Sequence, residues 1–142
     1  MTVKAFVDAN ILVYASLDDP DETVKRKLAT ALLSQSERLT TSVQAVNEFC
    51  SAMRKNKVPP RLAKQFANAF LESLNVLPLS PGTLRSAWNL TDNYSLSYWD
   101  SLIVASALES GCEILYTEDL QHGQVFEKTL KVVNPFLPKR RA

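Results

Sequence analysis

Val3-Lys4-Ala5-Phe6-Val7-Asp8-Ala9-Asn10 decides how the rest of the chain is read. Lys4 to Val7 has the composition of a short buried strand, and Asp8 ends it with a charge. Asn10 can then cap a helix from Ile11 to Leu17. A strand that passes at once into a helix opens a βα unit, and the alternation recurs downstream. Leu39-Thr40-Thr41 is a second strand, and Thr41 or Ser42 caps a helix from Val43 to Lys55. Pro59-Pro60 separates that helix from another, Arg61 to Leu74; Asn75 to Leu79 is a third strand. Ser80-Pro81 starts a helix to about Asp92, and Ser97 caps a last one, Tyr98 to Ser110, which Gly111 ends. Glu113 to Tyr116 and Lys131 to Val133 are the fourth and fifth strands. Between the first two strands, Asp19-Pro20-Asp21-Glu22 has the cap, the proline and the acids of a helix start, for a helix to about Glu37. The pattern predicts an α/β fold, a parallel sheet of about five strands flanked by helices in three layers.

The 142 residues are 46% hydrophobic and 22% charged, which fits one globular domain over residues 1–142. No apolar run approaches the ~18 residues of a membrane span, and the first residues lack the apolar core of a signal peptide. The cytoplasm is the expected compartment. Cys50 and Cys112 have neither a metal-binding nor a disulfide-framework spacing, so both are expected as small buried hydrophobes. The net charge is +1, but its distribution is uneven: Arg54, Lys55, Lys57, Arg61 and Lys64 lie in a stretch with no acid between Glu48 and Glu72. That stretch, like Lys139-Arg140-Arg141, is either solvated surface or a footprint for a polyanion such as RNA.

Four acids occupy positions where a carboxylate is costly unless its charge is used. Asp8 ends the first strand. Glu48 interrupts the helix Val43 to Met53 on the stripe of Ala45 and Ala52. Asp100 opens the apolar helix through Leu102-Ile103-Val104-Ala105. Asp119 follows Ile114-Leu115-Tyr116. In parallel sheets functional groups gather at the carboxyl edge of the strands. Asp8 and Asp119 lie just past strand ends and point there. The tight Gly111-Cys112 connection makes Asp100's helix antiparallel to the fourth strand, which puts the start of that helix at the same edge. Glu48 lies roughly 9 Å along its helix, so only its long side chain reaches back. Taken singly, each acid also reads as a turn former, a cap or a solvated helix residue; their common destination is what distinguishes them.

Other chemistries are poorly served. His122 is the only histidine and sits in a polar run read as surface loop; three glycines in all build no phosphate-cradling loop. No Gly-x-Ser-x-Gly elbow exists. Trp88, Trp99, Tyr94 and Tyr98 are expected in or near the core rather than as base-stacking platforms. Clustered carboxylates call for a divalent cation, and hard oxygen donors suit Mg²⁺ or Mn²⁺. Such ions activate water and neutralise a phosphoryl oxygen, the needs of phosphodiester hydrolysis. Without the cation the acids repel and raise one another's pKa, so the site is expected to be ordered by it.

Val7-Asp8-Ala9-Asn10, Val46-Asn47-Glu48-Phe49, Tyr98-Trp99-Asp100-Ser101 with Ala105, and Leu115-Tyr116-Thr117-Glu118-Asp119-Leu120 resemble, in order and spacing, the four acidic motifs of the PIN-domain family. Within it the chain is most similar to the VapC toxins of bacterial toxin–antitoxin pairs. The resemblance implies a parallel α/β sheet and a Mg²⁺- or Mn²⁺-dependent endoribonuclease, often dimeric, with a small antitoxin that blocks its active site. Carried over by position, Asp8, Glu48, Asp100 and Asp119 would be the catalytic, metal-binding acids, with Asn10 and Thr117 as polar supports. The basic stretch matches no catalytic motif, and its reading as an RNA contact is independent of the resemblance. Two rivals stand beside this one. One is a non-catalytic module that binds RNA or protein. The other is a haloacid-dehalogenase-type phosphatase, which wants Asp-x-Asp where this chain has Asn10.

Overall fold

The computed structural model describes residues 3–138; the basic run Lys139-Arg140-Arg141 lies outside them. Six strands form one sheet: β1 (Ala5–Val7), β2 (Leu39–Ser42), β3 (Asn75–Leu77), β4 (Ile114–Tyr116), β5 (Val125–Phe126) and β6 (Leu130–Val133), in the order β3-β2-β1-β4-β6-β5. All neighbours are parallel except the β5–β6 pair. Six α-helices join them: α1 (Ala9–Ser16), α2 (Thr23–Leu33), α3 (Val43–Lys55), α4 (Pro60–Ser73), α5 (Pro81–Asn93) and α6 (Tyr98–Glu109).

Strand alternation builds the layers. Ala5 and Val7 of β1 join a core with Ile11, Leu12, Ala29, Phe49, Met53 and Ala67 from α1 to α4. Phe6, between them, joins the opposite core with Ala87, Leu90, Leu102 and Val104 from α5 and α6. β4 does the same, with Leu115 on the α5–α6 side and Ile114 and Tyr116 on the other. A strand with apolar residues on both faces must be covered on both, and three buried residues in a row at Ala5-Phe6-Val7 say so. Buried from Ser101 to Ala107, α6 is apolar on every side and packs between the sheet and α5.

The sheet has five parallel strands, and the sixth is the two-residue antiparallel strand β5, to which the sequence reading assigns no element. Its turn uses Glu127 and Lys128 with φ of 51° and 63°, and left-handed backbone at non-glycine residues leaves little trace in composition. Asp8, not Asn10, caps α1, accepting from Ala9 N–H at 2.7 Å. Asp19 caps a short 3₁₀ turn (Pro20–Glu22), and the helix after it stops at Leu33, short of Glu37. Ser42, Ser80 and Ser97 cap α3, α5 and α6 as expected, Ser80 with a reciprocal box to Thr83. Cys112 is buried, whereas Cys50 is exposed on α3. Three of the four aromatic expectations are reversed, most of all at Trp88 and Trp99, which are 53% and 63% exposed. Tyr98 is exposed beside Trp99, and only Tyr94 packs inward, edge-on to Phe126. Tyr98 and Trp99 stand in the first turn of α6, and Trp88 lies on the exposed face of α5.

The topology also fixes where chemistry can gather. From β1 the chain builds outward through β2 to β3, then returns to the other side of β1 with β4. The strand order reverses between β1 and β4, and the crevice at their carboxyl ends is where such sheets bind ligands.

Candidate active site

Asp8 leaves the carboxyl end of β1 at that reversal, its N–H bonded to Tyr116 O of β4 at 3.1 Å. It is 3% exposed. One oxygen accepts from Ala9 N–H and the other from the Thr117 hydroxyl at 2.9 Å. No lysine or arginine pairs with it among the described residues. Burial therefore dominates the two hydrogen bonds, and the charges of Glu48 and Asp119 add to it. The Asp8 carboxyl is pushed up from 3.8 to about 7.

Thr117, fully buried just past β4, is the hub of the site. Its hydroxyl donates to Asp8 and accepts from Asn10 Nδ2 at 3.0 Å and from Asp119 N–H at 3.1 Å. Asn10, in the first turn of α1, also donates to Asp119 Oδ2 at 3.1 Å. Asn10 and Thr117 thus tie the acid after β1 to the acid after β4. Asn10 is wholly engaged as a spacer and offers no acid to a phosphatase mechanism.

Glu48 does reach back. It is half-buried, with Gln44 Nε2 on its Oε1 at 3.1 Å; the same amide nitrogen donates to Trp99 O at 3.3 Å. Gln44, unremarked in the sequence, therefore joins α3 to the start of α6, and its i−4 spacing from Glu48 was the available signal. Asp100 lies in the first turn of α6, where Ser97 Oγ accepts from its N–H. Burial lifts the carboxyl of Glu48 above the ordinary range, with the charges of Asp100 and Asp119 contributing. Partial desolvation likewise lifts that of Asp119, with the charges of Asp100 and Glu118 behind it.

Four acids from four parts of the chain therefore share one sheet edge, and Asp8, Glu48 and Asp119 each feel the charge of at least one other of the four. Glu118 does not belong with them. It turns to Lys25 at 3.0 Å and to the Tyr14 hydroxyl, a structural cluster closed by Phe136 against Tyr14. Arg54, Lys55, Lys57, Arg61 and Lys64 are all exposed, without an ion pair among the described residues, at the far end of α3 and the start of α4. His122 is exposed, as expected for a loop.

The donor set suits a divalent cation: hard carboxylate oxygens, one of them on a buried acid with no positive partner. Among the described residues no three acid, histidine or cysteine side chains are close enough to hold an ion as they stand.

The PIN domain family model matches residues 5–127, a span containing all four acids. No curated protein matches the sequence. Several solved structures share the fold. VapC20 of Mycobacterium tuberculosis, described as a toxin that cleaves the sarcin–ricin loop, superposes with a TM-score of 0.65 at 18% identity, over 82% of this chain and 92% of its own. A toxin–antitoxin complex from Klebsiella pneumoniae gives 0.67 at 22% identity, over 94% and 98%. VapBC2 from Rickettsia felis, bound to a promoter DNA fragment, gives 0.67 at 18%, over 93% and 100%. At these identities the likeness carries the architecture, and the family model carries the membership. With the three-layer sheet, its reversal point and the acids at that point already in place, the chain belongs to the PIN domain family.

Proposed function

We propose that this PIN domain, a single unit over residues 1–142, is a Mg²⁺- or Mn²⁺-dependent endoribonuclease and the toxin of a toxin–antitoxin pair. The observation that carries the reading is that Asp8, Glu48, Asp100 and Asp119 come to one sheet edge, where the charges of Glu48, Asp100 and Asp119 act on their acidic neighbours and no lysine or arginine of the described residues pairs with them. These acids would hold the metal. When bound there, it supplies Lewis acidity toward a phosphoryl oxygen and lowers the pKa of water. The chain's own residues set the frame. Thr117 fixes Asp8, Asn10 fixes Asp119, and Gln44 holds Glu48 against α6. Arg54, Lys55, Lys57, Arg61 and Lys64 would contact RNA phosphates, a sequence-independent and salt-sensitive attraction.

The structural neighbours that are toxin–antitoxin assemblies support a small antitoxin partner; a homodimer of the toxin is what the family resemblance implies. Among the described residues no helix is long and apolar enough to cross a membrane, and the cytoplasm is the proposed compartment.

Incubation of the pure protein with total RNA tests the reading. Discrete cleavage in Mg²⁺ or Mn²⁺, stopped by EDTA, is the expected result; intact RNA in both metals overturns it. A finer test is Thr117→Val, which keeps the shape and deletes the hydroxyl. Cleavage should fall about 10- to 100-fold, the usual effect of losing a group that orients a metal ligand. Thr117→Ser should restore most of it. A valine variant as active as the parent would remove Thr117 from the machinery.

A further inference from the structure

We propose that the cleft between the start of α3 and Trp99 is a subsite for an unpaired nucleobase of the RNA strand. This rests on the nuclease reading, because Glu48 forms part of the cleft wall. The cleft has a volume of about 500 Å³ and is lined by Val43, Gln44, Asn47, Glu48, Leu79 and Trp99, among others. Clefts that hold small planar ligands run from roughly 300 to 1,000 Å³.

Two features within it lack a partner. Trp99 leaves a large aromatic face in water, 63% exposed, with Tyr98 set edge-on to it at 5.4 Å and 70°. An indole held in one position by a neighbouring ring is a stacking platform, and stacking tolerates any base. The second feature is Gln44, only 8% exposed. Its Nε2 faces two acceptors, Glu48 Oε1 and Trp99 O. That assignment fixes the amide orientation, and it leaves Oε1 buried with no donor. A buried acceptor in that state is costly, so it favours a ligand that brings an N–H. A base bearing an exocyclic amine has both the flat face and the donor. An apolar side chain laid on Trp99 would cover the indole and leave Gln44 Oε1 unsatisfied.

Helix α3 continues the path away from the acids. Gln44, Asn47, Glu48, Ser51, Arg54 and Lys55 recur at intervals of three or four, which places them along one face. From Gln44 to Arg54 is roughly 15 Å at helical rise. The strand's phosphates would thus pass from the acid edge to the exposed bases of Arg54, Lys55 and Lys57 while one nucleobase turns onto Trp99.

The test measures binding of a short oligoriboadenylate to the full chain by fluorescence anisotropy, in EDTA so that no cleavage intervenes. Trp99→Ala should weaken binding by roughly 5- to 150-fold, the range for loss of one stacked base. Trp99→Phe, which keeps a ring, should recover part of this. An abasic ribose-phosphate strand should bind the parent weakly and the alanine variant equally so. Replacing adenine by purine, which lacks the amine, should cost the parent roughly 2- to 10-fold, one hydrogen bond. Unchanged affinity in Trp99→Ala overturns the proposal, as does an equal loss on the abasic strand, which would assign Trp99 a role in shaping its neighbours. Equal binding of purine and adenine strands removes Gln44 from base contact. The two readings fail separately. A chain that binds RNA through Trp99 but cleaves none in Mg²⁺ or Mn²⁺ refutes the nuclease alone; one that cleaves and binds independently of Trp99 refutes the subsite alone.

Discussion

Asp8→Asn should abolish RNA cleavage and, in the absence of metal, flatten the dependence of stability on pH. Losing a metal-holding acid removes several kcal/mol of transition-state stabilisation, on the order of 10³-fold in rate. The stability effect runs the other way. Folding raises the Asp8 pKa from 3.8 to about 7. Between those values the native state holds a proton that the unfolded chain has released, so stability falls as pH rises through this window and levels above it. The full effect is on the order of 4 kcal/mol at most. Asparagine cannot titrate there and keeps an oxygen for Ala9 N–H. It also presents an amide N–H to Thr117 Oγ1, which already accepts from Asn10 and Asp119. The Thr117 hydroxyl then loses its acceptor, which offsets part of the gain by about 1–3 kcal/mol. Urea denaturation in EDTA at pH 5.5 and pH 8 should show the parent losing stability between the two and the variant losing much less. A parent with no such slope would mean that Asp8 is not buried as described; a variant that cleaves RNA at the parental rate would end the nuclease reading.

The skeleton of this arrangement was legible because strand ends and helix caps write themselves locally. Asp8 after Ala5-Phe6-Val7 and Ser97 three residues before Asp100 mark where the chain turns, and topology alone then sends both acids to one edge. What was not legible depends on contacts between distant segments. Nothing near Gln44 in sequence signals that its amide will meet Trp99 O, 55 residues on. Trp99 itself reads as core by composition, yet the first turn of α6 leaves it in water while the next two turns are buried. Whether Asp8 or Asn10 caps α1 was open for a similar reason: the two types cap equally well, and only the backbone, which turns helical at Ala9, decides for Asp8. The partners of Glu118 could not be read either. Adjacent acids in one loop are alike in sequence, and only Lys25 and Tyr14, packed in from α1 and α2, assign the first to structure.

Asp100→Asn should lose cleavage as completely as Asp8→Asn but leave the metal-free protein almost unchanged, and that contrast separates holding a cation from holding the fold. Asp100 is only partly buried, in the first turn of α6, and no described side chain donates to its carboxylate. Neutralising it forfeits a favourable interaction with the helix N-terminus of about 0.3–1 kcal/mol. It also relieves the repulsion that Asp100 exerts on Glu48 and Asp119, so the two effects oppose each other. The difference should emerge when metal is added. Mg²⁺ at ten times its dissociation constant stabilises a one-site protein by about 1.4 kcal/mol, a shift of roughly 4 °C in Tm for a chain of this size. The parent should show that shift at pH 8, and Asp100→Asn should show little of it. If instead the variant responds to Mg²⁺ as the parent does, the ion is held elsewhere, and the convergence of carboxylates at the β1–β4 reversal has some other purpose.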